Sequence, residues 1–493
     1  MVSTNVATTD LDIIIVGAGV SGVNAAHRIQ NNLPNSSYTI LESRDVIGGT
    51  WDLFSYPGIR SDSDMFTFGF HWYPWTSDRI MSSGPGIKDY ISKAAEVSGI
   101  AEKIRFRHTL VSGDWSTAQQ RWTLMVDLDG DRQKFTARFL VMSTGYYDYG
   151  VPLQTEIPGI GDFGGKVIHT QFWPTDYDYT DKKIIIVGSG ATAITLLPAL
   201  TEKAASVTML QRSPSYIISV EGSDPHATFL HKYFPVCLSS KLMRIKYILI
   251  PVVLSYLAGF CPTYAKKMVL AHTWAKLPAH IPHDPHFLPV HQPWEQRVCA
   301  CPDEDFFEAL HNGKGHVVTD KIDTVTKTGI KTKKGTILKA DTIITATGLK
   351  LRLLGGAQLS IDGKIIDHTK KYFWRSSLLQ DLPNVAVVLG YTNSSWTLGS
   401  EIAADLVCRL IKHMDKKHLA SVAPKVPLDA KMERIRVPEN SATYMKHAEA
   451  DMPLGGDRGP WKGRNDYISD QWITNYGPFR RLVKDLEFVG KVI

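Results

Sequence analysis

Cysteine is scarce in this chain: five among 493 residues, at Cys237, Cys261, Cys299, Cys301 and Cys408. So sparse and odd a set excludes a disulfide framework and fits a reducing compartment, so a cytoplasmic location is expected. The closest two, Cys299 and Cys301, read as plain strand residues. No block of like charge occurs, and the formal net charge is only +6. That is too mild to indicate nucleic-acid binding, and none is expected. The first ten residues are polar and lack the apolar core of a signal segment. One apolar run stands out. Tyr247 to Cys261 follows Lys241, Arg244 and Lys246, but its 15 residues include Pro251 and fall short of a bilayer span. Two readings stay open for it: a buried or pocket-lining helix, and a contact with a membrane surface. His280, His283, His286 and His291 have the look of metal ligands. Pro282, Pro285 and Pro289 break the helix that such spacing needs, so no metal is expected.

What is present is a globular composition, 43% hydrophobic and 21% charged, long enough for two or three domains. Two glycine-rich turns of one design each follow an apolar β-branched run. The first is Ile13-Ile14-Ile15-Val16-Gly17-Ala18-Gly19-Val20-Ser21-Gly22; the second is Ile184-Ile185-Ile186-Val187-Gly188-Ser189-Gly190-Ala191-Thr192-Ala193. In such a turn the glycines allow a tight bend and a close approach of backbone to pyrophosphate. The following helix offers unpaired N–H groups and its positive dipole end. Two such turns point to two dinucleotides on one polypeptide. About 20 residues past the first, the run Tyr38-Thr39-Ile40-Leu41 ends in Glu42, a carboxylate suited to ribose hydroxyls. The second unit reaches Gln211 and Arg212 instead, where a guanidinium suits a 2′-phosphate. The first site is therefore read as FAD and the second as NADPH.

The two units look like an internal duplication, each closing on a strand that ends in Thr-Gly: Thr144-Gly145 and Thr347-Gly348. The expected class is α/β, two Rossmann-like dinucleotide-binding domains with a mostly helical insertion. The expected boundaries are 1–150 with 349–493 for FAD, 151–217 with 287–348 for NADPH, and an insertion at 218–286 lining a substrate pocket.

Two longer strings carry a resemblance. Phe163-Gly164-Gly165-Lys166-Val167-Ile168-His169-Thr170-Gln171-Phe172-Trp173-Pro174 fits F-x-G-x-x-x-H-x-x-x-W-P at every fixed position. Gly48-Gly49-Thr50-Trp51 through Tyr56-Pro57-Gly58 to Asp62 fits G-G-x-W-x-x-x-x-Y-P-G-x-x-x-D. Both strings resemble the fingerprints of type I Baeyer–Villiger monooxygenases, which are class B flavoprotein monooxygenases. Pro293-Trp294-Glu295-Gln296-Arg297 and the stretch around Trp396 are similar to the branch that includes ethionamide-activating enzymes.

The resemblance implies that NADPH reduces FAD, that the reduced flavin adds O₂ at C4a, and that the peroxyflavin inserts oxygen into a hydrophobic ketone. The product is an ester or lactone, and sulfides are oxidised as well. It implies that Arg297 is the cation at the peroxide, oriented by Asp62, and that His169 couples NADP position to domain closure. Gly49, Thr50, Trp51, Val111 and Trp396 join the FAD contacts. Many cyclohexanone-type members have Lys where Gln296 stands, so NADPH preference rests more on Arg212 here. The rival on the same scaffold is an N- or S-oxygenating flavin monooxygenase, against which Trp173-Pro174 weighs. A disulfide reductase needs a redox cysteine pair near the flavin, and no cysteine precedes Cys237.

Overall fold

The computed structural model describes residues 8–293, 295, 298–391, 394–427, 431–435, 445, 448–464 and 466–490. Ile13, Ile14 and Ile15 are at most 1% exposed, so the run is covered on both faces, as a central parallel strand requires. Each such side chain contributes roughly 1.5–3 kcal/mol relative to exposure. Their strand, Thr8–Val16, pairs in parallel with Tyr38–Leu41 on one side and with Asp131–Met142 on the other. Beyond it, Arg121–Leu128 and His108–Ser116 continue the sheet antiparallel. Gln358–Ile361 and Val385–Val387 then join this same sheet from far along the chain. It counts eleven strands among the described residues.

A second sheet is wholly parallel. Its order is Gly315–Thr319, Ser206–Gln211, Lys183–Val187, Thr342–Thr345, Lys166–His169. The helix Val20–Asn32 follows the first glycine turn, and Ala191–Thr201 follows the second. The fold is thus α/β with two parallel nucleotide-type units, as expected.

The segment between these units is mainly helical: Pro225–Tyr233, Val236–Phe260 and Pro262–Trp274. Of the apolar run read as a buried or pocket-lining helix or as a membrane-surface contact, one face lines a cavity with Tyr247, Pro251 and Ser255 and the other is exposed. The helix is 25 residues long because it extends upstream through the basic residues, and Leu249, Val253 and Phe260 on it are exposed. Only its inner face is covered. Cys299–Pro302 is a strand, with Cys301 buried and its thiol pushed up to about 12 by that burial. The histidine cluster disperses: the His283 ring stacks on Trp274, His286 bonds Thr319, and His291 meets Tyr216 edge-on.

Candidate active site between two glycine turns

The helix Val20–Asn32 starts at Gly19 with no side-chain cap, and Ala191–Thr201 starts the same way at Gly190. Their first N–H groups are therefore left for a ligand. At Gly22 a Cβ would stand 1.8 Å from the Gly17 carbonyl oxygen, so this helix packs against its own turn only without a side chain. The second turn has Ala193 at the matching place, fully buried.

A cavity of about 450 Å³ joins the two turns. Gly17, Gly19, Val20 and Ser21 line it from the first unit, and Ala191 and Thr192 from the second. Gly188, Ser189 and Gly190 form the turn leading to it, with the Ser189 hydroxyl donating to the Ser213 carbonyl at 2.9 Å. Glu42 also lines the cavity and is 5% exposed. One of its oxygens accepts from the Ala18 N–H at 2.6 Å and the other from the Arg44 N–H at 2.9 Å. The second oxygen also accepts from the Ser43 hydroxyl at 3.3 Å, so the lone pair kept for a ribose hydroxyl is on the oxygen that meets Ala18.

The segment from Gly48 to Asp62 ties the units together. Gly49 meets Gly19, so that a Cβ on it would lie 3.2 Å from the Gly19 Cα. Thr50 exchanges a hydrogen bond with the Tyr149 hydroxyl at 3.2 Å, and Trp51 lies edge-on to Phe68. Further along, Gly58 has φ +75°, and a Cβ there would stand 2.8 Å from Ala199 Cβ and 2.9 Å from the Thr195 carbonyl oxygen. One end of the string therefore touches the first turn and the other lies against the second unit's helix. Phe54 and Tyr56 pack into the second unit's core with Ile184 and Leu196. Tyr56 is buried, which pushes its phenol up to about 12, and its hydroxyl is hydrogen-bonded to Thr192. Arg60 forms an ion pair with Asp305 across the same junction.

Asp62 lines the cavity. Its expected partner Arg297, together with Trp294 and Gln296, lies outside the described residues. Trp396 opens the helix Trp396–Lys416; its indole N–H donates to the Ser21 hydroxyl at 2.8 Å and its ring lies 5.0 Å from Tyr146. Leu110 lines the cavity, whereas Val111 falls at a bulge between Leu110 and Ser112 and is not among the lining residues.

His169 closes a strand of the second sheet, and the next residue, Thr170, lines the cavity. Its Nδ1 accepts from the Gln171 N–H at 3.2 Å, which leaves the proton on Nε2. That Nε2 is buried with no partner among the described residues, and burial holds the imidazole below its ordinary pKa. Gln211 is 2% exposed, and its amide hydrogens are spent on the His286 carbonyl at 2.7 Å and the Thr319 hydroxyl at 2.9 Å. Arg212 is exposed beside Ser213 at the second turn.

Sequence reasoning missed Tyr56, Arg60 and Tyr149 as members of this junction. For Tyr56 the signal was present in the Y-P-G string itself, whereas Arg60 stands at one of that string's variable positions. Uncapped helix starts, a ribose-type carboxylate, a buried N–H donor with no partner among the described residues and a cavity spanning both turns together fit two dinucleotides.

Residues 11–249 match the family described as flavin-binding monooxygenase-like. Over 470 residues the chain is 43% identical to the FAD-containing monooxygenase EthA of Mycolicibacterium smegmatis, covering 95% of each chain. It is 42% identical over 471 residues to EthA of Mycobacterium tuberculosis, covering 95% of this chain and 96% of that one. Its fold matches that of an oxidised steroid monooxygenase bound to NADP, with a TM-score of 0.73 at 20% identity over 98% of this chain and 100% of that one. The chain belongs to the flavin-binding monooxygenase-like family, on the branch of the EthA relatives. It is a flavoprotein monooxygenase, and the resemblance carried by the two fingerprint strings holds.

Proposed function

We propose that this protein is an FAD-containing, NADPH- and O₂-dependent Baeyer–Villiger monooxygenase. Its substrates are hydrophobic ketones, converted to esters or lactones, and it also oxidises sulfides. The observation that carries this reading is the single cavity reached by both glycine turns, with residues 48–62 bridging them. Two redox nucleotides must meet for one to reduce the other, and this arrangement brings both sites to one space. The division into 1–150 with 349–493, 151–217 with 287–348, and an insertion at 218–286 belongs to this proposal. The return of Gln358–Ile361 to the first sheet supports it.

FAD bound here, with NADPH as the reductant, would supply the activated oxygen from O₂. The chain's own residues do the rest. The uncapped N-terminus at Val20 and Ser21 holds the first pyrophosphate, and Glu42 accepts from the adenosine ribose. The N-terminus at Ala191 and Thr192 holds the second pyrophosphate, and Arg212 takes the 2′-phosphate. His169, neutral, presents its Nε2–H to the nicotinamide nucleotide and so senses its position. Trp396, Tyr146 and Tyr147 wall the cavity and keep water from the reacting oxygen. Arg297, oriented by Asp62, stabilises the negative charge of oxygen transfer, a role suited to a group charged at any working pH.

Arg297→Ala tests the assignment. The variant is expected to stay yellow and to be reduced by NADPH, while ester formation falls by about 10²–10³-fold, the cost of losing one such donor. Ester formation at a near-native rate would place the cation elsewhere.

A further inference from the structure

The helix Val236–Phe260 has an outer face that none of the described residues covers. Leu242, Ile245, Leu249, Val253, Leu257 and Phe260 recur every three or four residues and are 41–82% exposed. The next helix adds Tyr264 and Met268, and the preceding one Phe229 and Tyr233, all more than half exposed. An apolar patch this continuous marks an interaction surface.

Its charge says what the surface meets. From Pro225 to His283 there is no Asp or Glu, against seven Lys and Arg. This segment alone carries a formal +7, while the whole chain carries +6. Lys246 and Lys276 are paired with Asp224 and Glu304, but Lys232, Lys241 and Lys267 are exposed around the patch. Apolar side chains bordered by exposed lysines, on a segment with no carboxylate of its own, complement an anionic lipid surface.

The helix is built to lie against such a surface rather than to cross it. Its length and composition would allow a span, but its inner face is tied to the body of the protein. The buried Arg244 guanidinium donates to the Phe66 carbonyl at 3.2 Å, the Gly69 carbonyl at 2.8 Å and the Glu401 carboxylate at 2.9 Å. Met243 is buried beside it against Phe66. Further along, the inner face lines a cavity of about 210 Å³ with Tyr247, Pro251 and Ser255, opposite Ser394 and Leu398. Ser394 also lines the nucleotide cavity. The outer patch and the proposed active site thus stand on opposite sides of one helix.

We propose that the helices of residues 225–274 seat this protein on an anionic lipid bilayer, the apolar outer face in the headgroup–acyl boundary and the exposed lysines on lipid phosphates. The test is flotation of the full-length holoprotein with phosphatidylcholine vesicles, with and without phosphatidylglycerol. The expected result is about tenfold or more binding to the anionic vesicles, lost at high salt. Leu249→Gln, Val253→Gln and Leu257→Gln combined should abolish it, as should Lys232→Glu, Lys241→Glu and Lys267→Glu combined. Both variants should keep wild-type melting temperature and NADPH oxidation. If the glutamine variant melts early, the charge-reversal variant, which alters only exposed side chains, decides alone. No flotation, or flotation that the decisive variants leave intact, would overturn the proposal. Self-association abolished by the glutamine variant, without vesicle binding, would assign the patch to a second copy of this chain instead.

Discussion

Tyr56 does at the residue scale what the whole junction does at a larger one. It is rooted in a string that begins at the first glycine turn, and its hydroxyl holds Thr192 at the second. Tyr56→Phe removes that bond and little volume. A hydrogen bond of about 1 kcal/mol predicts a roughly fivefold rise in KM for NADPH with flavin content unchanged; an unaltered KM would mean the bond does not position the second turn. Arg212→Ala should raise KM for NADPH by roughly 10–150-fold and barely affect NADH, because a contact with a charged phosphate contributes about 1.5–3 kcal/mol. Equal effects on both nucleotides would put the phosphate elsewhere. Gln211 shows the limit of reading residues from a motif. Its place at the strand end was legible, but the use of its amide hydrogens within the fold was not, because both acceptors come from more than 70 residues away.

At the scale of elements, the glycine turns were legible because their physics is local: a strand run, a turn needing no Cβ, and a helix start. Gly22→Ala puts a methyl into the Gly17 carbonyl. The variant should purify colourless or insoluble, as judged by the flavin-to-protein ratio, and a normal ratio would contradict the packing. The helix Val236–Phe260 was only half legible. Hydropathy gave its apolar stretch, but which face stays uncovered depends on Arg244 meeting Glu401, 157 residues away. The helix Val20–Asn32 also carries a pH effect. The His27 ring stacks 3.7 Å from Trp72, and burial, aided by the Arg28 charge, lowers its pKa to about 4. Its folded-state value lies below the ordinary 6.5, so its contribution to stability is complete above pH 6.5 and is lost as pH falls toward 4. The melting temperature of His27→Gln should therefore fall less than wild type between pH 7 and pH 5. Parallel curves would show that the ring titrates normally.

At the scale of the molecule, the α/β class and the pairing of two units were readable from the repeated strand–turn–helix pattern. The cavity that unites them was not, because it forms where segments far apart in sequence converge. The string from Gly48 to Asp62 could be matched as a fingerprint without saying why its residues recur. The fold supplies the reason: Gly49 and Gly58 each permit a close backbone approach, one to each unit. In the proposed function this junction lets one nucleotide reduce the other, and oxygen is delivered into a ketone. The most direct measurement is to supply the purified protein with NADPH, ¹⁸O₂ and a panel of hydrophobic ketones and sulfides, and to weigh the products. An ester or lactone carrying one labelled oxygen is predicted. Sulfoxide with no ester from any ketone, or hydrogen peroxide alone across the panel, would contradict it.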